Sequence, residues 1–392
     1  MSAKAYRFVL TCAALGLITG CGDGRGVASD LNGVTLSAGG AGDGSSGGAD
    51  TGAPADDEDD EDDDRGDDED DEDDDGDDEG ADDDGGGPSG PALDVGHPGC
   101  DDGECPEGCV PPEHAPCDAD SNSMDHALGL GCEDELSADV SRSGNSAAVA
   151  VTDGFGPSEE WNAVEGSKLL VIGTGLAASL IDPDPEDPFL SCSDDLGEEY
   201  DPGATLPEPL VATAVDGDCE EDPTLVGTGD CSRTVGEQFD QGGDANDYTE
   251  VRIEMAVPEA VSSLTYSFAF MSTEWPVFVG GDYNDMFVGW LESEMWTGNV
   301  SFDETGSPIS VNAGFLDFQD DTAEMAEFEG TCMSGHAATK WLETTAPVAP
   351  GEDITLVFSI FDMSDSIYDS FVLVDNVQFG CAEGQPETSP AG

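Results

Sequence analysis

Basic residues are what this chain has least of. Nine Lys and Arg stand against 90 Asp and Glu in 392 residues, a formal charge of −81. Such a field repels nucleic acid and anionic lipid, so DNA, RNA and polybasic membrane binding are excluded. Cations and cationic surfaces are the electrostatic partners that remain. Histidine is scarcer still, with only His97, His114, His126 and His336. The His-Glu-x-x-His zinc motif is missing, and so is the Gly-x-Ser-x-Gly nucleophile elbow. Carboxylate pairs are too common here for any two to mark a glycosidase. The chain is therefore expected not to be an enzyme.

Cysteine is plentiful, with twelve residues. Cys12 lies in the N-terminal apolar run and Cys21 follows Ile18-Thr19-Gly20. Lys4 and Arg7 precede Phe8 to Ile18, a run of signal-peptide length that is too short to span a bilayer. The block ending in Cys21 resembles a bacterial lipobox. That resemblance implies acyl chains on Cys21, export, and a lipid anchor in the cell envelope, at the outer membrane or cell surface. Ten cysteines remain: Cys100, Cys105, Cys109, Cys117, Cys132, Cys192, Cys219, Cys231, Cys332 and Cys381. An even set in an exported chain reads as disulfides, in one of hundreds of pairings. Cys105 and Cys109 lack the paired histidines of a zinc finger.

Composition divides the chain. Residues 1–20 read as the signal peptide. Residues 21–99 are Gly, Ala, Ser, Asp and Pro, with near-continuous Asp and Glu from Asp56 to Asp84. Such a run cannot bury apolar surface, so it is expected to be a disordered, extended tether. Residues 100–132 form a cysteine-rich prologue. Residues 133–382 read as one all-β domain, and 383–392 as a flexible tail.

Within that domain, apolar runs Ala147–Thr152 and Lys168–Gly173 are bounded by turn residues. Val251, Ile253, Met255 and Val257 alternate with Arg252, Glu254 and Ala256. Leu264, Tyr266, Phe268 and Phe270 alternate with Thr265, Ser267 and Ala269. Period two marks half-buried strands. Met286–Leu291, Ile354–Phe361 and Phe371–Phe379 read as further strands. Only 322–343 has the composition for a short helix. Asp182 to Asp230 reads as a long insertion stapled by disulfides. The expected fold is an antiparallel β-sandwich, jelly-roll-like, with long disulfide-braced loops.

Three segments carry a family likeness: Leu264-Thr-Tyr-Ser-Phe-Ala-Phe-Met-Ser-Thr-Glu-Trp275, Tyr283-Asn-Asp-Met-Phe-Val-Gly-Trp290 and Asp369-Ser-Phe-Val-Leu-Val-Asp-Asn-Val-Gln-Phe379. Over roughly 125–382 the chain resembles the choice-of-anchor L domain family, exported bacterial proteins that share a domain and differ in surface anchor. The resemblance implies surface display and an all-β fold, with no established activity.

The candidate chemistry is a calcium site. Hard divalent cations take several oxygens from carboxylates, amides and carbonyls. Glu274, Asn284, Asp285, Asp375 and Asn376 fall at the ends of expected strands, with Asp247 a weaker addition. The same residue types also build turns. Asp118-x-Asp120-x-Asn122 starts like an EF-hand loop but has Ser123 and Gly129 where glycine and glutamate belong. A disulfide-braced turn is the better reading. Trp275 and Tyr283 flank one loop and are candidate ligand-binding aromatics, while Trp290 is in phase with Met286 and Val288 and belongs to the core. The functional expectation is a non-catalytic adhesion or ligand-binding module for a glycan or surface protein, calcium-dependent. The alternatives are a hydrolase of extracellular polymers and a structural envelope component.

Overall fold

The computed structural model describes residues 108–132, 137–183, 191–236, 239, 243–281 and 283–391. The signal peptide, Cys21, the tether, Cys100 and Cys105 lie outside the described residues.

Two antiparallel sheets pack face to face. The first runs β1 (Ala138–Ser143), β6 (Ala245–Ala256), β14 (Asp353–Met363), β8 (Met286–Glu292) and β10 (Ile309–Ser310), with β9 (Thr297–Asn299) also paired to β8. The second runs β11 (Phe318–Gln319), β12 (Ala337–Ala338), β7 (Ser263–Ser272), β15 (Ser370–Gly380), β5 (Leu169–Gly173) and β2 (Val149–Thr152). Strand β13 (Leu342–Pro347) joins β7 to β16 (Glu387–Pro390). A small hairpin of β3 (Gly154–Phe155) and β4 (Trp161–Asn162) stands apart. The expected antiparallel sandwich is therefore the observed fold.

Alternation in β6 and β7 sends Val251, Ile253, Tyr266, Phe268 and Phe270 into the space between the sheets. The expectation of half-buried strands is too simple, because β7 is buried along its whole length. The outer faces are covered as well. Leu206, Leu210 and Val235 from the 191–236 segment pack on Met286, Val288 and Trp290 of the first sheet. Phe155, Trp161, Phe328 and Met333 pack on Ala269, Met271 and Leu373 of the second. Period two in the sequence reported only which side chains share a face, and insertions supplied the second cover.

Other expectations need correction. Residues 322–343 hold only a three-residue 3-10 turn, Ala326–Phe328, before the chain turns back to strand. Gly330 takes φ +77° just after it, a conformation that ends helical backbone. The short helices lie elsewhere, at α1 (Met124–Ala127) and α2 (Ala177–Ile181). The tail at 383–392 is not free over Glu387–Pro390, which pairs with β13.

All eight described cysteines are bonded: Cys109–Cys381, Cys117–Cys132, Cys192–Cys332 and Cys219–Cys231. The prologue also contributes to the core, through Leu128 and Leu130. Its Asp118 is not a metal loop residue but an anchor, accepting from the amides of Ser167 (2.7 Å) and Lys168 (2.5 Å).

Gly289 in β8 sits where the other sheet leaves no room for a side chain. A β-carbon there would fall 2.0 Å from the Tyr266 hydroxyl oxygen, which is itself bonded to Ser301 Oγ at 2.5 Å. Gly289→Ala should destabilise the fold by about 1–3 kcal/mol through overpacking. Urea unfolding of the variant checks this, and an unchanged midpoint contradicts the packing described.

Candidate functional site

The antiparallel order brings five chain passages to one end of the sandwich. In the first sheet these are the start of β6, the start of β8 and the end of β14. In the second they are the end of β7 and the start of β15. Each passage delivers an acid: Asp247, Asp285, Asp362, Glu274 and Asp369. All five are at most 2 % exposed.

Local structure explains the placement. On β14, Ile360 faces Thr249 and Asp362 faces Asn246, so Asp247 and Tyr248 together oppose Phe361. This is a β-bulge, and Asp247 sits in it with φ +47°. Bulges of this kind re-aim a side chain. Asp285 is pinned from three directions. Its amide donates to Glu274 Oε2 (3.0 Å), while its carboxylate accepts from Ser370 Oγ (2.6 Å) and the Met363 amide (3.4 Å). Asp369 Oδ1 accepts from the Asp194 amide (3.0 Å) and Asp247 Oδ1 from the Leu196 amide (2.9 Å). The 191–196 segment is thus bound to the acids, and Cys192–Cys332 fixes its start.

The remaining oxygens are unmet. Neither oxygen of Asp362 meets a donor in good hydrogen-bond geometry, nor do Asp369 Oδ2 and Asp247 Oδ2, although Thr174 and Asp285 lie beside Asp362 and Ser366 beside Asp247. Among the described residues no ion pair involves any of the five acids. Burial lifts the Asp247 carboxyl to about 7. Burial, and then the charge of Asp285, pushes Glu274 and Asp362 upward. Burial also raises Asp285, and it raises Asp369 well above the carboxylate range, where Asp194, Asp285 and Asp247 add to the effect. Gly175 closes over the site, since a β-carbon there would lie 1.8 Å from Asp369 Oδ2.

Buried acids elsewhere are better supplied with donors, although burial still raises Asp230, and raises Asp375 to about 7. Asp230 accepts from Ser232, Val235 and Asn299 amides and from the Ser232 hydroxyl. Asp303 accepts from Thr305, Ser307 and Gly314 amides. Its burial works against the charged form, but these bonds outweigh it and hold the group below the usual range.

The sequence candidates divide. Glu274, Asn284 and Asp285 come together, and Asp247 joins them. Asp375 and Asn376 do not. Asp375 pairs with Ser267, five positions along β15 from Ser370, or about 16 Å away. Its carboxylate accepts from the amides of Val164 (2.6 Å), Glu165 (3.0 Å) and Asn376 (2.7 Å), which makes it a loop anchor. Asn376 takes φ +60° in a second bulge, and its amide reaches Ser267 Oγ. Asp362 and Asp369, which the sequence reading does not single out, lie at the same end of the sandwich. The available signal for Asp362 was a lone acid inside the apolar run Ile360-Phe361-Asp362-Met363.

Outside the acids, two loops, 273–285 and 364–369, carry an apolar ledge. Val277 is 76 % exposed and Ile367 52 %, with Val279, Tyr283 and Tyr368 also exposed. The Phe278 ring lies 5.3 Å from Tyr283 and 5.4 Å from Tyr368, tying the loops together. Tyr283 is therefore on the surface as expected. Trp275 is only half-buried beside it, its carbonyl 2.8 Å from His336 Nδ1. Trp290 is in the core.

No protein-family model, curated protein or solved structure matches this chain.

Proposed function

We propose that this chain is an exported, lipid-anchored surface module that binds an extracellular glycan or surface protein without turning it over, with calcium as its cofactor. The ledge is the observation that carries this reading. Five of the nine exposed large apolar residues among those described fall in its two loops. Apolar groups clustered this way on a soluble surface mark an interaction site. Tyrosines combine apolar area with a hydrogen-bonding tip, which suits them to contact faces.

Three sequence features support the address. The block ending in Cys21 resembles a lipobox, and the acidic stretch after it would hold the domain away from the membrane. The bonded cysteines fit an oxidising compartment. The likeness to the choice-of-anchor L family adds surface display, and its three motif segments are the ones that carry Glu274, Asp285 and Asp369.

The test is capture of surface polysaccharides and envelope proteins by wild-type protein and by Tyr283→Ala/Tyr368→Ala. Both tyrosines are exposed, so the variant should fold normally. A loss of capture of at least about tenfold is expected for removal of two central contact residues. Turnover of a polymer by the wild type, or undiminished capture by the variant, contradicts the reading.

A further inference from the structure

We infer that Asp285, Asp362 and Asp369, flanked by Glu274 and Asp247, seat a calcium ion at the loop end of the sandwich. The inference rests on the surface-module reading for the ion's purpose, and on the structure for its place.

Unpaired buried oxygens carry the argument. Asp230, Asp303 and Asp375 show how this fold buries a carboxylate that needs no cation, with amide and hydroxyl donors converging on it. Asp362 has none in bonding geometry, although it is 1 % exposed. Its polar neighbours are the Asp285 carboxyl and the Thr174 hydroxyl. That hydroxyl is already engaged with the Ser370 backbone. Asp369 Oδ2 adds another oxygen without a donor, while the Asp247 carboxyl has the Ser366 hydroxyl beside it. A buried carboxylate left unpaired is too costly to keep its charge, so it must be neutralised or matched by a cation.

The donor chemistry selects the ion. The five acids offer only oxygen. Zinc prefers nitrogen and sulfur, and magnesium keeps several waters in a strict octahedron. Calcium accepts six to eight oxygens in flexible geometry, including bidentate carboxylates. Among the described residues no three acids already surround a common point as a metal-binding group. The Asp362 and Asp285 carboxyls already lie side by side, so seating the ion requires Asp369 to turn toward that pair and the pair to open.

The consequence is mechanical. Glu274 and Asp285 bracket the longer ledge loop, and Asp369 ends the shorter one. One ion bound to these residues fastens both loops from beneath, while the ledge side chains stay outside.

The test is calorimetric titration of calcium into the full-length exported chain, freed of divalent ions on a chelating resin, beside Asp362→Asn at matched ionic strength. Both proteins carry the acidic run at 56–84, so weak binding there cancels in the comparison. The wild type should show one tighter site that the variant lacks or binds at least about tenfold more weakly. Its unfolding midpoint should rise by about 10 °C with millimolar calcium and not with magnesium. Identical isotherms, or no calcium-specific rise, overturn the inference. If Asp362→Asn fails to fold, the wild-type midpoint alone decides. Ligand capture is measured in the same samples. Calcium binding without capture removes the module reading and leaves the ion in place. Capture without a calcium site does the reverse.

Discussion

Calcium-free protein should lose stability as pH rises from about 5 to 8, and saturating calcium should shrink that slope. In the folded, metal-free chain burial raises Asp247 from 3.8 to about 7, and Glu274, Asp285, Asp362 and Asp369 move in the same direction. An acid raised by folding binds its proton more tightly in the native state. Its contribution is fully present below the unfolded value near 4 and is lost as pH climbs through the folded value near 7. Several groups act together, so the unfolding midpoint should fall by roughly 10 °C across this interval. A bound calcium ion favours the ionised carboxylates and cancels the part of the slope that comes from its ligands, while Asp375, raised to about 7 by burial, and Asp230 keep theirs. Thermal unfolding at several pH values, on resin-treated protein with and without calcium, checks this. A midpoint that rises with pH in the calcium-free protein would contradict the description of these acids as buried and unpaired.

Asp375→Ala should cost about 3 kcal/mol of stability and leave calcium affinity unchanged. The carboxylate holds three backbone donors, those of Val164, Glu165 and Asn376. Losing it leaves them unmet in a buried setting, at about 1–3 kcal/mol for an unsatisfied group, with partial relief by local movement. For a chain of this size that is a midpoint drop of roughly 6–12 °C. The sequence alone placed Asp375 among calcium ligands and so expected the opposite result, a loss of calcium affinity. Differential scanning calorimetry paired with calcium titration separates the two. Reduced affinity at intact stability would return Asp375 to the metal site.

The contrast between Asp375 and Asp362 shows what was legible. Strand positions were readable because β6 and β7 alternate cleanly, and Trp290 declared its face through Met286 and Val288. The meeting of Glu274 and Asp285 was also within reach, since one follows β7 and the other precedes β8, strands consecutive in the chain. Register was not readable. Asp369 lies just before β15 and Asp375 in its middle, and only pairing shows which of them reaches the acids. Asp247 enters the site through a bulge in β6, and Asp362 through the end of a strand whose outer face is covered by the 191–236 segment. Such insertions bury polar ends that periodicity assigns to solvent. The tail at 387–390 was misjudged for a related reason. Its Thr388 hydroxyl bonds Thr344 at 2.8 Å in a strand pair that short polar sequence does not announce.

The most direct test of the account is to locate calcium in crystals of the folded domain by its anomalous scattering. The account predicts one strong peak bounded by the carboxylates of Asp285, Asp362 and Asp369, with Ca–O distances near 2.3–2.6 Å. No peak at saturating calcium, with Asp285 and Asp362 in direct carboxyl–carboxyl contact, would mean that these acids are neutral and that no ion supports the ledge.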